Sequence, residues 1–598
     1  MIHLKILCFA ERFVSFFWVP KKRYQENELR GRLTPIPPDN PFCRVGARTT
    51  HTTPRKNYLN LLDRGRAMLV RLKETNMNTK ILSTSEYDIR LAGEILAGGG
   101  LVAFPTETVY GLGANALDEN AVKNIYKAKG RPSDNPLIVH VANKSDIAPL
   151  VKEITPKAQA LIDAFFPDAL TIILPKSKII NNTVSGGLDT VAIRMPKNEI
   201  ARKVIAAAHC PIAAPSANTS GLPSPTKAKY VIDDMNGKID AIIDGGDCEY
   251  GVESTVITLA TEVPTILRPG AVTKEMIEAV IGKTEVSSAV LEGMKNDEVA
   301  ASPGMKYKHY APKAKVIIVD ADKKAYENFV NTRKNAFALC FEGDEVKIPK
   351  LTFGRENDDE SQARELFDAL RQIDEMGAKK VYARIPNTTG VGMAVYNRLI
   401  RAAAFNIIDL KKPFVIGLTG PTGAGKGYVS RYLSFLGFNV LDSDKIVKNI
   451  YDNNPELLSR LAKEFGDDIL DGNTLNRKRL GEIVFSSDKK RERLNAIVHP
   501  EVIRLCEEKA SGLTVLDAPQ LFEAGAEGKC YKVICVTADK KTRLERIIKR
   551  DGISEAQALD RMKSQLDDDT YISKSDYVIF NNGDDIKSQI DKIIDEIL

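Results

Sequence analysis

The chain has 598 residues, 43% hydrophobic and 27% charged, close to the average of globular proteins. This excludes a fibrous repeat, a collagen or a chain disordered throughout, and the length alone predicts about four domains. The net charge of +6 is unevenly spread: residues 1–76 hold 15 Lys/Arg against 6 Asp/Glu, so the remainder nets −3. Whole-chain charge is therefore no argument for a nucleic-acid-binding body.

Eight dispersed cysteines without a CxxC pair and six dispersed histidines point to no disulfide scaffold and no metal centre. A reducing, cytoplasmic setting is expected. No uninterrupted apolar run reaches about 18 residues, so no membrane span or membrane partner is expected. Residues 1–76 combine an apolar start, interrupted by Glu11 and Arg12, with a proline-rich and basic stretch. They read as a doubtful basic extension from an over-extended gene start, with the protein proper beginning near Met77. A basic transit-like peptide is the alternative.

Ser85 to Leu96 carries a helical apolar stripe, stopped by Gly98-Gly99-Gly100. Strand Leu101–Phe104 then runs into Pro105-Thr106-Glu107-Thr108-Val109-Tyr110-Gly111, hydroxyls and glycines placed where a sheet edge takes a ligand. A helix is predicted from Asn120 to Lys129, followed by Gly130-Arg131-Pro132-Ser133-Asp134-Asn135-Pro136 and the strand Ile138–Val141. Lys127, Lys129 and Arg131 are expected to converge there on polyphosphate or carboxylate, although a solvated helix end would look similar. Further polar groups recur at strand ends: Thr171, Arg194, Ser216 and Asn218, Glu253-Ser254, and Arg268-Pro269-Gly270. No Ser-His-Asp arrangement or paired-carboxylate spacing suggests hydrolysis.

Residues 105–113, 129–140, 215–221, 253–256 and 268–270 together resemble the threonylcarbamoyl-AMP synthase family. The resemblance implies a twisted α/β domain over 77–300 that binds ATP, L-threonine and bicarbonate or CO2 and releases pyrophosphate. The product would serve downstream tRNA threonylcarbamoyl-transfer proteins that modify position 37 of tRNA. On the same match, Lys129, Arg131, Asn135, Ser216, Asn218 and Arg268 should serve ATP. Thr106, Thr108, His140, Arg194 and Ser254 should serve threonine. A weak or transient RNA contact is a further expectation.

Residues 301–312 form a polar, aromatic, proline-bounded linker. In the long form of the family such a linker covers the active site, which makes Tyr307, His309 and Tyr310 lid candidates. Alternating strands and helices over 313–408 resemble the small Rossmann-like accessory domain of the long form. Gly390-Val391-Gly392 within it is only a weak nucleotide signal.

From residue 412 a new pattern starts. A buried strand, Phe414–Thr419, precedes Gly420-Pro421-Thr422-Gly423-Ala424-Gly425-Lys426-Gly427-Tyr428. Backbone N–H groups of such a loop cradle phosphates and Lys426 reaches the β and γ oxygens. Gly427 stands where the motif asks for Ser or Thr, so the usual Mg2+-binding hydroxyl is missing. Val440 to Asp444 should end the next strand, with Asp444 placed to receive a substrate proton or simply to cap a helix.

This region resembles dephospho-CoA kinase over 412–598. That implies a P-loop domain with a parallel sheet, and transfer of the ATP γ-phosphate to the 3′-hydroxyl of dephospho-CoA with Mg2+. Asp444 and Lys426 become the catalytic candidates. Gly423, Ala424, Gly425, Gly427 and Tyr428 with Arg550 and Arg561 become nucleotide or lid contacts, and His499 falls in the substrate-side helical region. The expectation is a bifunctional α/β enzyme using ATP and Mg2+. A synthase with a non-catalytic kinase-like module, and an RNA-binding module without synthase chemistry, are the alternatives.

Overall fold

The computed structural model describes residues 78–290, 310–484, 487–583 and 585–598. Tyr307, His309 and the whole of 1–76 lie outside the described residues. The described residues form one compact unit, built on three separate large sheets.

The first sheet has eleven strands: β1 Lys80–Leu82, β2 Val102–Phe104, β3 Gly111–Asn115, β4 Ile138–His140, β5 Leu170–Pro175, β6 Thr190–Arg194, β7 Ile212–Ala213, β8 Ala241–Ile243, β9 Thr255–Thr258, β10 Thr265–Arg268 and β11 Glu285–Val286. Their order is β1-β8-β2-β3-β7-β4-β6-β5-β9-β10-β11, with parallel and antiparallel pairs mixed. The apolar stripe at Ile89, Ala92 and Leu96 does form a helix, Glu86–Ala97, whose cap is Ser85 accepting from the Asp88 N–H at 3.2 Å. The helix Glu119–Lys129 ends at Gly130 in the left-handed conformation (φ 62°), which turns the chain towards Arg131.

The second sheet is all parallel and has five strands: β12 Lys315–Asp320, β13 Phe337–Glu342, β14 Lys350–Arg355, β15 Lys380–Arg384 and β16 Ile407–Asp409. Their order is β14-β13-β15-β12-β16. Its helices Asp359–Glu375 and Gly390–Ala402 face the first sheet's loops. Leu366, Phe367 and Leu370 share one apolar cluster with Val109, Val252 and Tyr310 of the first body. The approach is close at Gly251 (φ 72°), where an added Cβ would lie 2.4 Å from Arg364 Cα. The Gly390-Val391-Gly392 run begins a helix and packs instead of opening a nucleotide loop: a Cβ on Gly392 would lie 2.5 Å from Asn387 Cβ.

The third region adds β17 Phe414–Thr419, β18 Asn439–Asp442, a short hairpin of β19 Leu470–Asp471 and β20 Thr474–Leu475, β21 Leu513–Asp517, β22 Lys532–Thr537 and β23 Tyr577–Phe580. The sheet order β18-β21-β17-β22-β23 is all parallel. The chain leaves β17 to one side and later crosses to the other. The loop after β17 therefore opens at the crevice where strand order reverses, the usual ligand position in such sheets. Asp444 is not at a strand end: β18 stops at Asp442, which caps the helix Ser443–Asn453 by accepting from the Lys445 N–H at 3.1 Å. Asp442 takes the capping role, and Asp444 sits in the first helical turn. The second and third bodies share a core in which Phe329 and Val330 join Leu433, Leu436, Phe438 and Ile593.

Candidate active sites

In the first body the strand register builds one polar row. His140 pairs with Arg194, Arg194 with Thr171, Thr171 with Val256, and Val256 with Arg268. Residues directly opposite one another share a face, so a row of separate strand ends becomes one cavity wall. That cavity is lined by Thr106, Arg131, His140, Arg194, Ser216, Asn218, Glu253, Arg268 and Tyr310.

Of the remaining expected residues, Thr108, Ser254 and Lys129 stand behind this wall and are bonded to it. Thr108 accepts from Arg194 Nη2 at 2.8 Å and lies 2.9 Å from the Thr106 hydroxyl. Arg194 also pairs with Glu107, Nη2 to Oε1 at 2.5 Å, with both side chains buried. Ser254 accepts from Arg268 Nη2 at 3.1 Å and meets the Thr171 hydroxyl at 2.8 Å. Lys129 donates to the carbonyls of Ser216 and, at 2.6 Å, Asn218. Its ammonium thus holds the Ser216–Asn218 loop, and burial, then Arg131's charge, lowers its pKa well below the lysine value. Lys127 is exposed and does not join the cluster.

Several buried groups here lack protein partners. Asn135 is 1% exposed, yet neither its Oδ1 nor its Nδ2 has a hydrogen-bond partner among the described residues. The same is true of Arg131 Nε and Arg194 Nε. Unsatisfied buried polar groups cost about 1–3 kcal/mol each, and four such atoms cluster at or beside this basic cavity. Burial brings Arg131 down to about 10 and His140 to about 3. His140 is thus a neutral imidazole, its Nδ1 3.2 Å from the Ile138 carbonyl. Tyr310, the described lid candidate, lines the cavity and its ring packs, tilted by 37°, against Phe367 of the second body with centroids 5.1 Å apart.

In the third body the loop 420–427 is closed by groups that sequence reasoning did not single out. Asn581 Nδ2 donates to the Ala424 carbonyl at 2.7 Å. Gly425 (φ 98°) leaves room for it, since a Cβ there would lie 2.2 Å from Asn581 Nδ2. Gln565 Oε1 accepts from the Thr422 N–H at 2.7 Å, and Arg546 reaches the Asn581 carbonyl at 3.0 Å. Lys426 folds back on the Gly420 carbonyl at 2.8 Å. Burial lowers its pKa, against the charges of Asp517 and Asp444. Burial raises the carboxyls of Asp444 and Asp517, and repulsion from Asp442 acts in the same direction. Asp517 also accepts a short hydrogen bond from Ser430.

Two expected contacts are held by a neighbouring carboxylate, although the charge of Arg550 still reaches Lys426. Arg550 and Arg561 both bond Asp551, Arg550 with two 2.8 Å bonds. Arg546 and Arg543 also stand beside the loop; Arg543 pairs with Asp568 at 2.7 Å, and a Cβ on Gly423 would strike its carbonyl. The spacing Arg543, Arg546, Arg550 along the helix Lys540–Asp551 puts all three on one face, a signal that could have added the first two to Arg550. His499 is half-buried, with its pKa lowered by burial.

Residues 94–270 match the family described as Telomere recombination, and residues 272–404 match the threonylcarbamoyl-AMP synthase C-terminal domain. Residues 414–587 match dephospho-CoA kinase. A threonylcarbamoyl-AMP synthase of Pyrococcus abyssi is 47% identical over 334 residues, covering 54% of this chain and 96% of the relative. A dephospho-CoA kinase of Fusobacterium nucleatum is 40% identical over 190 residues, covering 31% of this chain and 98% of the relative. The chain belongs to both families. The crystal structure of P. abyssi Sua5 complexed with L-threonine superposes with a TM-score of 0.53 at 46% identity, over 55% of this chain and 99% of that one. The synthase and kinase relatives occupy distinct parts of the chain, so neither the synthase-only nor the RNA-binding alternative is favoured. No helix among the described residues is long and apolar enough to cross a membrane.

Proposed function

We propose that the first two bodies form L-threonylcarbamoyladenylate from L-threonine, bicarbonate or CO2 and ATP, and that the third phosphorylates the 3′-hydroxyl of dephospho-CoA. The observation that carries the synthase reading is the cavity wall of Arg131, Arg194 and Arg268 beside the unsatisfied Asn135. Anionic phosphates and a carboxylate are the ligands that such a wall fits.

The threonine amine adds to CO2 and gives up a proton to solvent, leaving a carbamate. A carbamate oxygen attacks the α-phosphorus, a new O–P bond forms, and the bond to the β-phosphate oxygen breaks. Pyrophosphate leaves with that electron pair. Arg131 and Arg268 would offset its growing charge, with Lys129 holding the Ser216–Asn218 loop beside them. Arg194, His140, Thr106, Thr108 and Ser254 form the threonine side. His140, being neutral, would act as a hydrogen-bonding group and not as a cation. No protein nucleophile is required. The adenylate would pass to tRNA-modifying proteins.

In the kinase the loop cradles the ATP phosphates and Lys426 swings from the Gly420 carbonyl to the β and γ oxygens. Asp444, its pKa raised by burial, is poised to take the 3′-hydroxyl proton. No group of three or more metal-ligating side chains forms a cage among the described residues. Asp444 and Asp517 nonetheless offer the carboxylate oxygens that suit Mg2+ bound mainly through substrate phosphates. When bound, that ion supplies charge neutralisation at the phosphates. Two assays test the reading. One is threonine- and bicarbonate-dependent pyrophosphate release. The other is phosphate transfer to dephospho-CoA. Absence of the first with wild-type protein removes the synthase, and absence of the second removes the kinase.

A further inference from the structure

Glu253 lies within the field of two buried guanidinium groups, Arg398 and Arg268, and is hydrogen-bonded to the first. Its Oε2 accepts from Arg398 Nε at 2.9 Å, and its Oε1 from the Ser224 hydroxyl at 2.6 Å. Arg268, which lines the same cavity as Glu253, gives Nε to the Ser254 carbonyl at 3.0 Å and Nη2 to the Ser254 hydroxyl. Burial opposes ionisation of Glu253, but the charges of Arg398 and Arg268 hold its carboxyl below the usual range. Arg398 is completely buried. It comes from the helix Gly390–Ala402 of the accessory body and grips both segments that carry the cavity arginine. Nη1 donates to the Pro269 carbonyl and Nη2 to the Glu253 carbonyl, the latter at 3.1 Å.

The charge arrangement matters more than the packing. A carboxylate beside a cavity arginine would ordinarily claim it in a bidentate pair. Here the carboxylate is already taken. We propose that Arg398 is a positioning residue of the synthase site: by occupying Glu253 and fixing Pro269, it keeps the Arg268 guanidinium free for an anionic substrate group. The accessory body is then part of the synthase active site. This rests on the synthase reading above.

The test uses the full chain. Arg398→Met should raise the KM for ATP in pyrophosphate release by about tenfold, equivalent to a coupling of about 1.4 kcal/mol. The KM for threonine should stay within about twofold. Kinase activity of the same preparation reports that the chain is folded. The double variant Arg398→Met with Glu253→Gln should recover much of the lost ATP affinity, because the competing charge is gone. Arg398→Lys should fall between, having charge without the fork. An unchanged KM for ATP in Arg398→Met, or a double variant as impaired as the single, would overturn the proposal. If Arg398→Met loses kinase activity too, Arg398→Gln, which retains a donor, is judged by the same criteria. Wild-type protein without pyrophosphate release removes the synthase reading and this inference with it; a normal wild type with indifferent variants removes the inference alone.

Discussion

Arg371 donates to both carboxylate oxygens of Asp234, Nη1 to Oδ1 at 3.2 Å and Nη2 to Oδ2 at 2.9 Å, across the boundary between the synthase and accessory bodies. Both side chains are buried. Asp234 also accepts from the Thr219 N–H at 3.1 Å, and Arg371 reaches the Pro223 carbonyl. The pair therefore fixes the loop that carries Ser216 and Asn218. Arg371→Met leaves a buried carboxylate without its partner, which costs about 3 kcal/mol. Calorimetry should show the synthase transition moving to lower temperature.

The two lysines should be separable. Lys129→Ala should cut pyrophosphate release by about 100-fold, the scale of losing one preorganised donor, while phosphorylation of dephospho-CoA is unaffected. Lys426→Ala should do the reverse. Loss of both activities in either variant would contradict two independent centres.

Gly427 has no structural need to be glycine. A Cβ there meets only Arg431 Nη1, at 3.7 Å, and its φ is not positive. Gly427→Ser should be accommodated and should place a hydroxyl beside Lys426. The expected result is a lower KM for Mg2+-ATP, by about threefold to tenfold for one added charge-assisted bond. Titrating kinase rate against Mg2+ reads it directly.

His140 predicts a pH effect on stability. Burial, reinforced by the charge of Arg194, places its pKa at about 3, below the unfolded value. Between about 3 and 6.5 the unfolded chain binds the extra proton, so stability rises with pH in this window and falls as pH drops through it. One proton amounts to at most about 1.4 kcal/mol per pH unit. His140→Asn, which cannot titrate, should flatten the decline in denaturation midpoint between pH 6.5 and 4.

Most of the synthase wall was legible because its residues sit at the ends of short apolar strands. Arg194 and Arg268 stand out this way and His140 by the family resemblance, and strand register brings the three together. Lys127 was misplaced because three basic residues in five positions of a helix and turn cannot all face inward. Its neighbour Lys129 does so because Gly130 turns the chain just after it. Asp444 was set on a strand because periodicity does not mark where β18 yields to a helix; the cap at Asp442 does. Arg398 and Asn581 were beyond reach. Each lies more than a hundred residues from the groups it holds, and their local sequence resembles any helix interior or strand end.

The core shared by the accessory and kinase bodies has a practical side. Arg333 packs 4.6 Å over Phe329 and 5.9 Å from Phe438, and gives Nη2 to the Leu436 carbonyl at 3.0 Å, at the far end of the helix that starts with Lys426. A kinase expressed alone from residue 412 would lose that cation from Phe438 and the Leu436 carbonyl, and with it the share of the common apolar cluster that Phe329 and Val330 supply. Such a fragment carries a sticky face that the intact chain never shows. Its aggregation would be mistaken for a dead enzyme, so dissection of this fusion is better done by point substitution than by scissors.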